Sequence, residues 1–143
     1  MSDYSSIPKI FPKEYIIEHG VMYDEDIFYS DDYESGILYD RDPLLGGKPF
    51  SGILYELDRK GILRYYKFYK DGVADGEYVT FYDTGKVSSY STMKGFGFIG
   101  KSYRWYRNGV LESIYETDQN QKYTGIIKYD ENGNVSYESK HDT

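Results

Sequence analysis

A chain of 143 residues is the size of one domain that buries about two thirds of its unfolded surface. Only 39% of it is hydrophobic, yet 19 residues are tyrosine, a side chain suited to half-buried sheet because its ring packs while its hydroxyl stays wet. The net charge of −7 disfavours nonspecific phosphate binding, and the absence of cysteine excludes disulfides and thiolate metal sites within this chain.

In chain order, "MSDYSSIPKIFPKEY" has no apolar core of a leader peptide, and no stretch reaches the roughly 18 apolar residues of a membrane span. A soluble, cytoplasmic protein is expected. Residues 11–20, "FPKEYIIEHG", fit a short helix or a strand. Residues 14–42 hold ten acids and one base. The densest part is "YDEDIFYSDDYE", where Asp24, Glu25, Asp26, Asp31, Asp32 and Glu34 surround Tyr23, Tyr29 and Tyr33. This segment suits a solvated cap that keeps the chain soluble. A docking patch for a basic partner is the other reading, since acids steer association and tyrosines supply contact area at low entropic cost. A Ca²⁺ site lacks the ordered ligand spacing of an EF-hand loop. Residues 34–52, "ESGILYDRDPLLGGKPFSG", read as a degenerate first hairpin. Residues 1–50 thus form an acidic cap with eleven acids against four bases, while residues 51–143 carry thirteen of each.

From residue 51 the chain repeats itself. Gly61, Gly85, Gly109 and Gly133 stand 24 residues apart. Six residues before them lie Tyr55, Val79, Tyr103 and Ile127; four before, Leu57, Phe81, Trp105 and Tyr129; two after, Leu63, Val87, Leu111 and Val135. All are apolar or aromatic, and the spacing of two marks one face of a strand. A second glycine column follows at Gly52, Gly76, Gly100 and Gly125. "YRNG" and "DENG" point to two-residue hairpin turns, and "DTG" and "RKG" to longer turns with a left-handed glycine. The expected architecture is all-β: four hairpins over residues 51–137, side by side in one twisted antiparallel sheet, with residues 138–143 as a charged tail. The columns four before and two after each glycine are expected to form the packing face.

Reactive chemistry is sparse. His19 and His141 are the only histidines, and neither has a nucleophile or second histidine in sequence reach for a Ser-His-Asp set or metal pair. "GFGFIG" lacks the spacing and Lys-Ser/Thr of a phosphate loop. "RKGILRYYKFYK" interleaves five bases with four aromatics and could stack bases, but the alternation is already what a half-exposed strand requires. Neither a cofactor nor an enzymatic activity is expected. Tyrosines outside the packing columns, Tyr78, Tyr82, Tyr90 and Tyr106, are the better interface candidates.

"YKDGVADGEYVTFYDTG" at 69–85, "GKSYRWYRNG" at 100–109 and "PFSG" at 49–52 resemble the MORN-repeat variant family, and more closely bacterial antitoxins of the YwqK type, over residues 35–137. The linker "TDQNQKYTG" at 117–125 and the acidic 14–42 segment depart from that pattern. The resemblance implies tandem hairpins and an immunity protein that sterically neutralises a toxin domain. That partner is expected to be basic and to meet Tyr23, Asp24, Glu25, Asp26, Tyr29, Asp31, Asp32 and Tyr33, with Tyr78, Tyr82, Tyr90 and Tyr106. The other use implied is a scaffold or membrane-associated interaction module.

Overall fold

The computed structural model describes residues 7–24, 28–29 and 37–140. One helix, α1 (Lys13–His19), precedes a mostly β structure. The strands are β1 (Val21–Met22), β2 (Phe28–Tyr29), β3 (Leu38–Tyr39), β4 (Gly52–Leu57), β5 (Leu63–Lys70), β6 (Val73–Phe81), β7 (Val87–Lys94), β8 (Gly97–Trp105), β9 (Leu111–Thr117), β10 (Tyr123–Tyr129) and β11 (Val135–Lys140). Nine of them form a single open sheet in the order β1-β4-β5-β6-β7-β8-β9-β10-β11. Strands β4 to β11 pair antiparallel with their chain neighbours.

The sheet is mixed, not wholly antiparallel, because β1 runs parallel to β4, with Val21 opposite Leu54. Nor does the 34–52 segment form a first hairpin of this sheet. It makes a short hairpin-like return of its own, with Tyr39 bridged antiparallel to Pro49 and the Phe50 N–H donating to the Leu38 carbonyl at 2.8 Å, and Leu38–Tyr39 also pairs with Phe28–Tyr29 in a separate two-stranded sheet. The cause lies upstream. Ile16 of α1 is fully buried in the sheet's main core, and Gly20 follows the helix where a Cβ would lie 2.7 Å from the Ile16 carbonyl oxygen and 3.0 Å from that of Ile53. That close approach lets the chain drop directly beside β4 and occupy the edge.

The four spaced glycines stand in equivalent turns. Tyr82 N–H donates to the Lys86 carbonyl at 2.8 Å and Gly85 N–H to the Tyr82 carbonyl at 3.0 Å. The same pair of bonds recurs from Asp58, Tyr106 and Asp130. The glycines have φ of 81°, 89°, 90° and 89°, while no other residue of these turns has positive φ. Each is a three-residue loop with one left-handed position, and the "NG" turns are no exception. A two-residue turn of the I′ type would need positive φ at Asn108 and Asn132 as well. Side chains favour the longer loop: Asp130 Oδ1 accepts from Asn132 and Asn134 N–H at 2.9 and 3.0 Å, and Asn108 Oδ1 from Val110 N–H at 2.9 Å. The two-residue geometry occurs at Asp71-Gly72, where φ is 51° and 82°.

Each three-residue turn is followed by a register shift. It sets Leu57 opposite Leu63, Phe81 opposite Val87, Trp105 opposite Leu111 and Tyr129 opposite Val135. The second glycine column does not make turns. Gly76 and Gly100 lie within β6 and β8 with φ of 111° and 73°, at shifts in the pairing with β5 and β7. Both are β-bulges, where glycine relieves the left-handed backbone.

Two clusters cover one face. Ile53, Tyr55, Leu63, Tyr66 and Val79 pack with Ile16, flanked by Ile10 and Phe11; Tyr103, Trp105, Leu111 and Tyr129 pack together, with Ile7 against them. In the packing columns Leu63, Trp105, Leu111 and Tyr129 are buried, and Leu57, Phe81 and Val87 are half-buried. Val135 is an exception at 55% exposure, on β11 at the edge of the sheet among the described residues. Hydroxyls tie the turns to one another. Tyr82 donates to the Trp105 carbonyl at 2.6 Å, and Tyr106 to the Tyr129 carbonyl at 2.7 Å.

The left-handed turn position makes a direct prediction. A Cβ at Gly109 meets nothing within 4 Å, so only backbone strain opposes Gly109→Ala. Urea unfolding should show a loss of about 1–2 kcal/mol, against a change within about 0.5 kcal/mol for the exposed Val135→Ala. Equal effects would contradict the turn geometry.

Candidate functional site

The face opposite α1 is open over β6 to β10. One row of residues crosses it by direct cross-strand pairing: Tyr65, Thr80, Ser89, Arg104, Ser113 and Lys128. A strand's alternate residues share a face, so this row is one register position away from the buried ladder Tyr66, Val79, Tyr90, Tyr103, Ile114. The open row carries short hydroxylated side chains where the covered row carries aromatics and aliphatics. Small residues lower the floor, and larger ones rise around it. The result is a shallow groove of about 630 Å³, lined by Tyr78, Thr80, Ser89, Ser91, Phe98, Ser102, Arg104, Glu112, Ser113, Tyr115, Tyr123 and Lys128 among others.

The polar groups in this groove differ in commitment. The Thr80 hydroxyl bonds to those of Ser88 and Ser89 at 2.6 and 2.5 Å. The Lys67 ammonium sits 4.9 Å from the centre of the Tyr78 ring and 5.4 Å from that of Tyr69, and burial lowers its pKa. Arg104 and Lys128 are exposed, and among the described residues neither has a hydrogen bond or ion pair. Ser113 is only 3% exposed, yet its side chain makes no hydrogen bond among the described residues and lines the groove.

At the near end of this face, Leu38 and Phe50 cover Leu54, Tyr69 and Ala74. A smaller apolar hollow of about 320 Å³ lies on the α1 side, between Phe11, Pro12, Lys13, Ile62, Leu63, Phe81 and Gly85. Also on that side, Glu77 Oε1 accepts from the Tyr90 hydroxyl at 3.0 Å, while Oε2 is buried without a hydrogen bond. Burial raises the Glu77 pKa, and the hydroxyls of Tyr90 and Tyr66 pull it partly back. Burial, followed by Glu77 itself, pushes the Tyr90 hydroxyl up to about 12. Among the described residues, no group of three or more His, Asp or Glu is placed to hold a metal, and no helix is long and apolar enough to cross a membrane.

The residues singled out from sequence do not converge. Tyr78 lines the open groove. Tyr90 is on the opposite, covered face with Glu77. Tyr82 and Tyr106 donate their hydroxyls to backbone carbonyls at the turn end of the sheet, and the Arg107 guanidinium stacks 4.9 Å from the Tyr82 ring while pairing with Asp83 at 2.9 Å. Tyr23 follows β1, its N–H donating to the Tyr55 carbonyl at 2.8 Å, and both Tyr23 and Asp24 are exposed. Tyr29 is in β2. Glu25, Asp26, Asp31, Asp32 and Tyr33 lie outside the described residues.

Arg104, Lys128, Ser113 and Tyr115 were not among the sequence candidates. Their signal was a further column: five residues before the turn glycines stand Glu56, Thr80, Arg104 and Lys128, and four after stand Tyr65, Ser89, Ser113 and Tyr137. These columns are polar in character and fall between the apolar ones, as the open face of a two-sided sheet demands. Set against protein-family models, curated proteins and solved structures, the chain matches none of them.

Glu77 gives this region a pH signature. A carboxyl whose pKa is raised by folding binds its proton more tightly in the folded chain, so its contribution falls as pH rises from the ordinary glutamate range through the raised value. Asp58, Asp83 and Asp130 act oppositely: their lowered pKa values come chiefly from the Ile62 N–H, the Arg107 side chain and the Asn134 N–H respectively, and their contributions fade in acid. Glu77→Gln should therefore raise the melting temperature at neutral pH and flatten its decline between mildly acidic and neutral solution. A lower melting temperature with an unchanged slope would show that ionised Glu77 is favoured in the fold.

Proposed function

We propose that this chain is a binding protein, specifically a cytoplasmic immunity protein or antitoxin that docks a toxin domain on its sheet and blocks it sterically, without a cofactor or a reaction of its own. The observation that carries this reading is the open face over β6 to β10. Its tyrosines, hydroxyls and cations lie on a stiff hydrogen-bonded surface, and Arg104, Lys128 and Ser113 have no assigned role in holding it together. Tyrosines on such a surface supply large contact area with few rotatable bonds, the property of interface anchors.

The same reading takes the sheet as tandem hairpin units of the MORN-like kind, the units being about 24 residues long. It is supported by the recurrence of the same turn bonds and register shift at Gly61, Gly85, Gly109 and Gly133. The acid-rich 23–34 segment then steers a basic toxin domain toward the sheet, as net negative charge accelerates encounter with a basic surface.

The test is co-expression with a candidate toxin domain, sought first among the genes neighbouring this chain's. The wild-type chain should protect growth and form a complex. Tyr78→Ala and Tyr115→Ala, both lining the groove, should each weaken the complex roughly tenfold or more, while Tyr106→Phe should leave affinity unchanged. A folded double variant of Tyr78 and Tyr115 that still protects fully and binds as tightly would overturn the proposal.

A further inference from the structure

The groove on the open face has a chemistry more specific than contact area. Arg104 and Ser113 are direct cross-strand partners, as are Ser113 and Lys128, so the three occupy one line across β8, β9 and β10. Two strand spacings separate the cations, about 10 Å at the backbone. Between them lies the hydroxyl of Ser113, a residue only 3% exposed that lines the groove and makes no side-chain hydrogen bond among the described residues. A hydroxyl that opens into a groove can donate to, or accept from, whatever occupies it. Among the described residues, Glu112 is the one carboxylate lining the groove. Tyr78, Tyr115 and Tyr123 all lie to one side of this line, the side away from the glycine turns.

We infer that this groove binds a carboxylate-bearing segment of a partner polypeptide, with Arg104 and Lys128 each taking an acidic side chain and the Ser113 hydroxyl donating to a carboxylate or backbone carbonyl between them. Charge complementarity is what selects this occupant. The two cations are exposed and uncompensated, and a guanidinium can hold a carboxylate by two parallel hydrogen bonds. The tyrosine rings run along one side of the line and offer cover for the segment's apolar atoms. Single-stranded nucleic acid would also bring anions and stacking faces. It demands a track of cations along its backbone, whereas here two stand free in a chain of net charge −7. The inference rests on the reading of the open face as a docking surface and names the part of the partner that enters it. A partner that is basic overall can still present such an acidic segment.

The experiment uses the full chain and a fluorescein-labelled glutamate–tyrosine copolymer, read by fluorescence anisotropy beside a lysine–tyrosine copolymer and a single-stranded oligothymidine. The glutamate–tyrosine probe should bind, weaken as salt is added, and lose roughly tenfold or more in affinity in the Arg104→Glu and Lys128→Glu variants. Both positions are exposed, so circular dichroism and melting should match wild type in these variants. Ser113→Ala should weaken the probe less than either charge reversal. The inference is overturned if the glutamate–tyrosine probe does not bind, if the reversals leave its affinity unchanged, or if oligothymidine binds more tightly and is the ligand that the reversals release. Loss of binding in Tyr78→Ala and Tyr115→Ala but not in the charge reversals would sink the carboxylate chemistry while leaving the face as a docking surface. Indifference of the toxin complex to all four substitutions would sink the docking surface itself.

Discussion

The structure from β4 onward depends on a backbone able to turn left-handed at one fixed place in every second return. Gly61, Gly85, Gly109 and Gly133 hold that position with φ near 80–90°. The register shift that follows each turn sets a residue four before the glycine opposite one two after it, which is how Trp105 meets Leu111 and Phe81 meets Val87. A register slipped by one residue would carry each aromatic to the opposite face. The glycines therefore decide which side of the sheet is apolar, and the groove on the other side is a consequence.

The two faces are finished differently. One is covered by α1 and the segment leading to it, with Ile7, Ile10, Phe11 and Ile16 packed against the aromatics of β5 to β8. Covering half a sheet with a seven-residue helix and a short extended segment requires contacts of high quality. Ile16 is fully buried, the Phe11 N–H donates to the Tyr66 hydroxyl at 3.2 Å, and the Lys13 ammonium donates to the Gly61 carbonyl at 2.6 Å. Among the described residues the other face is covered near β4 to β6, where Leu38 and Phe50 meet Leu54 and Tyr69. The rest of that face is polar and aromatic, and it is the surface on which the proposed docking is placed.

Much of the β structure was legible in the sequence, because a period of two and glycines at fixed spacing are backbone requirements written in residue type. Gly85 can be read as a left-handed turn without any knowledge of its neighbours. Three features were not legible. The "NG" pairs suggested two-residue turns, but Asn108 and Asp130 bond to backbone N–H groups two and four residues on and stabilise the longer loop. The parallel edge strand arises because Gly20 sits hard against Ile16 and Ile53, a tertiary contact with no local signature. Tyr82 and Tyr106 looked surplus to packing, but hydroxyl bonds to carbonyls 23 residues away are invisible in a linear chain. The candidate groove was half legible. Tyr78 stood out as an aromatic, whereas Arg104, Ser113 and Lys128 drew no attention singly and acquire meaning only as neighbours across three strands.

The most direct measurement of whether the open face is the proposed docking surface is hydroxyl-radical footprinting with mass spectrometry, on the chain alone and with a candidate toxin domain bound. Protection should concentrate on Tyr78, Phe98, Tyr115 and Tyr123, with Phe11 and Tyr15 on the helix side unchanged. Protection of the helix side or of Leu44 and Leu45, with the groove tyrosines labelled as in the free chain, would contradict the account.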